Sequence, residues 1–308
     1  MDQDTFLTTL YVMIDDFCQS QGYDEKHRPG PAASLSCSEV VTLAVFGQWA
    51  QFPSERAFYR YAVCHLRPAF PTLPEREQFN RLQRQYRAVI VAFSLYLVEQ
   101  MQAQHCLYEA LDSSGIPTRD AKRRGAGWLA GQADIGWSNR IGWYEGFHLL
   151  TSITPTGVIT GFGFAAGSCN DHPLAETFLA VRHAPTPRLS SVGAPAQGVY
   201  VADKGFAGDQ LHRFWYEHYD AQVVSPPHQR SKVRWSKDWR RWLAGLRQII
   251  ETTYDKLLNI FRLARERPHA LDGFQARLAA KVALHNFCIW LNVQLGRAPL
   301  AFADLLDW

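Results

Sequence analysis

The sequence predicts an α/β layer architecture: a mixed sheet covered by helices, preceded by an all-helical region. Three observations carry that expectation. Residues 1–105 read as helices almost throughout; residues 106–226 alternate short apolar runs with amphipathic stretches; and the remainder returns to long helical patterns. The division expected is therefore a helical N-terminal region, 1–105, and a mixed α/β region, 106–308.

TFLTTLYVMIDDFCQ is the first predicted helix, and Ser36 with Glu39, spaced as a capping box, opens the second. Pro53 and Ser54 break the chain before SERAFYRYAVCHL, so residues 36–65 form two helices around a QFPS turn. That pair is compatible with a DNA-binding helix-turn-helix, and Arg56, Arg60 and Arg67 suit such a role. Pro68, Pro71 and Pro74 form a rigid connector, and EREQFNRLQRQYRAVIVAFSLYLVEQMQ supplies one or two further helices.

CLYEALD, 106–112, is short and apolar and precedes a polar, Gly-bearing break, the pattern of a buried strand ending at Asp112. FHLLTSITP and GVITGFGFA flank Thr156 and Gly157 as an antiparallel hairpin. DHPLAETFLAVRH reads as a helix, with Asp171 and His172 as capping residues, QGVYVAD as a strand ending at Asp203, DQLHRFWYEH as a helix, and AQVVSP as a last strand. In LRQIIETTYDKLLNIF, Leu246, Ile249, Ile250, Thr253, Leu257, Ile260 and Phe261 share one face of a helix. Glu251 lies on the flank of that face, one turn from Arg247, an i, i+4 ion-pair partner.

Composition excludes several classes. The longest apolar run, AVIVAFSLYLV, is too short for a bilayer core of about 30 Å, and the acidic N-terminus is not a secretory signal, so a cytoplasmic protein with no membrane partner is expected. Six scattered cysteines without a C-x-x-C pair indicate reduced residues rather than disulfides or a zinc site. The net charge is +3, but segment 228–247 carries seven Lys or Arg (Arg230, Lys232, Arg234, Lys237, Arg240, Arg241 and Arg247) against Asp238 alone. A polyanion would meet that segment first. Its Trp235, Trp239 and Trp242 suit either base stacking or, as favoured here, the buried face of a basic helix. Arg119, Lys122, Arg123 and Arg124, opposed only by Asp120, follow the first strand in a Gly-rich loop suited to backbone phosphates, and Lys204 follows Asp203 directly.

If the strands ending at Asp112 and Asp203 are neighbours, both carboxylates reach one sheet edge, and a helix across that sheet brings Glu251 alongside. Three oxygen donors on separate elements make a site for two Mg²⁺ or Mn²⁺ ions rather than zinc, and such a pair suits phosphodiester chemistry.

The ordered segments ALDSSGIPTRDAKRRG, WYEGFHLL, GSCNDHPLAE, VADKGFAG and RQIIETTYDKL resemble the transposases of bacterial insertion sequences, which carry an Asp-Asp-Glu (DDE) triad on a ribonuclease H-like fold. The resemblance covers most of the chain, 36–295, and matches the triad to Asp112, Asp203 and Glu251. It implies a DNA transposase of the bacterial cytoplasm, associated with the nucleoid, that cuts and joins DNA at terminal inverted repeats and inserts into target DNA, with a homodimer holding the two ends. A ribonuclease H-like nuclease without strand transfer, or a non-catalytic DNA-binding derivative, is the alternative. Members of the group often carry Tyr and Lys where this chain has Ala244 and Leu258, with Lys256 or Arg262 as substitutes for the Lys; many carry Lys where this chain has His148, and relatives also carry a His/Asp pair in the loop of Asp171 and His172, for which capping is the favoured reading here.

Overall fold

The computed structural model describes residues 1–23, 34–119, 129–184, 198–227, 231, 232 and 234–307. The chain begins with α1 (Gln3–Ser20), α2 (Cys37–Phe46), α3 (Glu55–Tyr61), α4 (Arg76–Gln85) and α5 (Arg87–Gln100). Their starts are written in side chains: Asp2 caps α1, Ser54 caps α3, and Ser36 with Glu39 forms the reciprocal capping box expected at α2. α2 is enclosed by the core on every side but that of Glu39 and Gly47, while α3 turns Arg56 and Arg60 to solvent.

The sheet follows. β1 (Glu109–Arg119), β2 (Asp134–Ser138), β3 (Gly142–Ile153) and β4 (Ile159–Ala166) lead to α6 (Asp171–Arg182), β5 (Val199–Ala202), α7 (Asp209–Tyr219) and β6 (Gln222–Val224). β3 runs antiparallel to β1 on one side and to β4 and β2 on the other, while β5 and β6 add in parallel beyond β1. The order β4-β3-β1-β5-β6, with β3 alone reversed, is the ribonuclease H-like arrangement; β2 extends the β3 edge. The chain closes with α8 (Lys237–Asp255), a wide π turn over Lys256–Ile260, and α9 (Leu271–Gln294).

Two features differ from the sequence reading. β1 does not end at Asp112; it runs on to Arg119 because Ser113, Ser114 and Gly115 pair in register with Leu150, Leu149 and His148. Polar side chains there mark a strand whose lower half faces a site, not a turn. β2 went unread: its Trp137 and Trp143 cross-strand pair is solvent-exposed, so no buried alternation announces it.

Neighbouring residues of β3 point to opposite faces: Leu149 enters the large core and Leu150 a smaller one under α6 and α7 with Leu111, Leu174, Phe178 and Trp215. The large core is continuous from Phe6 to Leu306. Phe6 meets Phe46 and Phe287, and Phe274 stacks on Phe147 at 4.6 Å. Asn286 of α9 binds both backbone groups of Ile159 and the carbonyl of Ser94, tying α9 to β4 and α5. The boundary at residue 105 is thus a change of secondary structure across which the apolar interior runs unbroken. None of the six cysteines forms a disulfide, and among the described residues no helix is long and apolar enough to cross a membrane.

Candidate active site

Parallel pairing of β1 with β5 sets the first two acids. Leu111 stands opposite Ala202, so the next residue of each strand, Asp112 and Asp203, lies side by side where the pairing ends. Asp203 then caps a short turn, its Oδ1 accepting from the Gly205 amide at 2.6 Å. Burial raises the Asp112 carboxyl to about 7, reinforced by the negative charges of Asp203 and Asp171 and opposed by a hydrogen bond from the Ser113 backbone amide and by Arg247.

Asp171 is the site residue whose role the sequence misassigned. It opens α6 but does not cap it; Asn170 holds the N-cap position without a side-chain bond. The Asp171 carboxylate instead accepts from Ser113 Oγ at 2.5 Å and lies 3.3 Å from His148 Nε2. His148 Nδ1 is 2.6 Å from the Cys169 carbonyl, which can only accept, so that nitrogen carries a proton. The other ring nitrogen, Nε2, lies 3.0 Å from Ser113 Oγ as well, so His148 sits against both Ser113 and Asp171. A Cβ on Gly205 would lie 2.8 Å from Asp203 Oδ1 and 3.1 Å from Asp171 Oδ2, so the two carboxylates face each other across a residue without a side chain.

Helix α8 meets this edge through Tyr254, whose hydroxyl donates to the Asp112 carbonyl at 2.8 Å and accepts from Thr151 at 2.9 Å. Leu243, Leu246, Ile250 and Tyr254 form its buried stripe. Glu251 is exposed, three residues before Tyr254 and four after Arg247, the two α8 residues that act on Asp112. The expected Arg247–Glu251 ion pair is not formed; the Arg247 charge acts on Asp112 instead. Among the described residues no three His, Cys, Asp or Glu side chains stand close enough to hold a metal. The structure therefore brings Asp112 and Asp203 together, adds Asp171, and leaves Glu251 on the adjacent helix flank.

The donor set fits a hard divalent cation in one respect: crowded oxygen ligands with a raised carboxyl pKa are what such an ion relieves. Beside the acids, Lys204, Arg234, Arg240 and Arg247 line a groove of about 610 Å³ with Trp235 and Asp203. Lys232, Lys237 and Arg241 are exposed outside it. Arg119 belongs to β1 and pairs with Glu145 at 3.7 Å, so it is not the free loop cation expected. Lys122, Arg123, Arg124 and Arg230 lie outside the described residues. Of the tryptophans, Trp235 and Trp242 are partly buried against the large core, in line with the expected buried face, whereas Trp239 is 56% exposed, its ring tilted against Trp235 and edge-on to Trp242. Of the substitutes for the missing Lys, Lys256 sits over the Phe302 ring and Arg262 faces a different groove.

Comparison with known proteins adds the family. Curated proteins give no match. A solved structure described as "Mos1 transposase paired-end complex with left transposon end" aligns over 79% of this chain and 83% of that one, at 12% identity and a TM-score of 0.22, too low to define a shared fold. The family described as "Transposase DDE domain" matches residues 110–287, a span that begins two residues before Asp112 and contains Asp203 and Glu251. More than half of the sequence lies within that match, and the chain belongs to the DDE-domain transposase family.

Proposed function

We propose that the protein cuts and joins DNA at the ends of an insertion sequence, using Asp112, Asp203 and Glu251 with Mg²⁺ or Mn²⁺. The observation that supports it best is the parallel β1–β5 register, which sets Asp112 and Asp203 side by side next to a basic groove. Asp112 and Asp203 would hold the cation, with Glu251 joining from the flank of α8. When bound, such an ion stabilises charge on phosphodiester oxygens and makes a water or a 3′-hydroxyl a better nucleophile. The remaining work belongs to the chain. Lys204, Arg234, Arg240 and Arg247 bind the strand, and Asp171, beside Ser113 and His148, adds negative charge that a cation bound at Asp112 would offset. Arg56 and Arg60, exposed on α3, suit contacts to the terminal repeats, and two copies of the chain would hold two ends together.

The test uses Asp112→Asn, Asp203→Asn and Glu251→Gln, each of which keeps shape and removes charge. Each is expected to retain DNA binding while nicking and joining fall together, because one set of ligands serves both steps. A folded Glu251→Gln protein that nicks at the wild-type rate would remove Glu251 from the catalytic set. Wild-type protein that cuts but never joins would identify a nuclease instead.

A further inference from the structure

A second groove, of about 780 Å³, opens between α3, α4 and segment 262–277 leading into α9. Its floor is a closed charge network. Buried Lys281 binds Gln48 at 2.8 Å and Glu266 at 2.9 Å, and Arg277 pairs with Glu266 at 2.7 Å and Glu55 at 3.6 Å. The floor carboxylates are thereby occupied. The walls carry Arg56, Arg76, Arg81, Arg262, Arg265 and Arg267, and among the described residues none of these has a carboxylate within 4.0 Å. Glu77 is the one lining acid outside the floor. Arg262 adopts a left-handed φ of 58°, rare for a residue with a side chain, and burial and the Arg265 charge both work against its proton.

Six guanidinium groups facing one open groove, with Glu77 as the one acid outside the paired floor, fit an anion with several spaced charges, and their planar forks match phosphate oxygens. The location fits the backbone of a long polyanion. Arg267 donates to the carbonyl of Pro117, five residues along β1 from Asp112. At about 3.4 Å per residue that is about 17 Å, and half a turn of B-form DNA is about the same length. We propose that this groove grips the phosphodiester backbone of duplex DNA about half a turn from the bond held at Asp112 and Asp203, a reading that rests on the DNA function proposed above.

The full-length chain with Arg56→Ala, Arg76→Ala, Arg81→Ala and Arg265→Ala is the test, since these side chains are exposed and, among the described residues, hydrogen-bond to nothing that a change would disturb. Binding of a fluorescent duplex of about three helical turns is measured against salt. Affinity should fall about tenfold or more, and the slope of log K against log salt should flatten by up to about 3.6, from roughly 0.9 for each of four phosphate contacts. The same positions changed to Lys should keep most of the slope. An Ala variant that binds like wild type overturns the groove assignment alone, as does a Lys variant that loses as much as the Ala variant. Wild-type protein that binds no duplex overturns the DNA function with it, and tighter binding of an RNA duplex through the same four arginines overturns the choice of DNA.

Discussion

Asp112 decides how the site responds to protons and cations. Its carboxyl, ordinarily near 3.8, titrates at about 7 in the fold. Between those values the folded chain holds a proton that the unfolded chain has released, so stability falls as pH rises from about 4 to about 7 and then levels. Asp112→Asn is therefore expected to melt a few degrees above wild type at pH 8 without metal. Mg²⁺ should raise the wild-type melting temperature at pH 8, do little at pH 5 where the carboxyl is protonated, and do nothing for the Asn variant. Wild-type melting at pH 8 that ignores Mg²⁺ would leave Asp112 without a role in cation binding. The pair Asp112 and Asp203 was legible in the sequence because each follows a short apolar run. Asp171 was not, because its partners, Ser113 and His148, are 58 and 23 positions away and meet it only when β1, β3 and α6 assemble. A carboxylate at a helix start reads as a cap unless those contacts are known.

Among the elements, α8 and β1 control the site by how they dock. The amphipathic stripe through Leu246, Ile250, Thr253 and Leu257 was readable from spacing alone, and it buries as expected, with Tyr254 added beside it. Spacing did not show that the Tyr254 hydroxyl reaches across to the Asp112 carbonyl and Thr151, or that the helix ends at Asp255 in a π turn that buries Leu257 and Leu258 together. Tyr254→Phe keeps the ring in the core and removes both hydrogen bonds, leaving a buried carbonyl and a threonine hydroxyl unpaired. Urea unfolding should show a loss of about 1–3 kcal/mol. Nicking should fall further than stability accounts for, because the flank that carries Glu251 is no longer pinned to β1. Unchanged stability and nicking would mean that apolar packing alone sets the position of α8. The length of β1 was lost for a related reason. A strand that turns polar beside a site carries the same residues as a loop, and only its pairing with Leu149 and Leu150 distinguishes the two.

Across the whole molecule, the helical N-terminus and the α/β region have distinct sequence patterns but one interior. Nearly every residue from Phe274 to Ile289 of α9 is buried, and that helix is covered by α5 and α2 on one side and by the sheet on the other. The Met1 amino group donates to the carbonyl of Leu305, so even the two ends of the chain are joined. Hydropathy identified each helix as amphipathic or apolar without saying which partner it would find, since burial by a distant segment leaves no local mark. A fragment of residues 106–308 would carry Asp112, Asp203 and Glu251 yet expose the faces of α9 that Phe6, Phe46 and Ser94 normally cover. Alone, it is expected to keep far-ultraviolet circular dichroism but lose near-ultraviolet signal, to bind a hydrophobic dye and to melt without cooperativity. Co-expression with residues 1–105 should restore a soluble complex with a sharp transition, because the missing surface is supplied in trans. If the fragment alone melts cooperatively near the full-length temperature, the two regions are independent folding units and the shared interior contributes little to the stability of either.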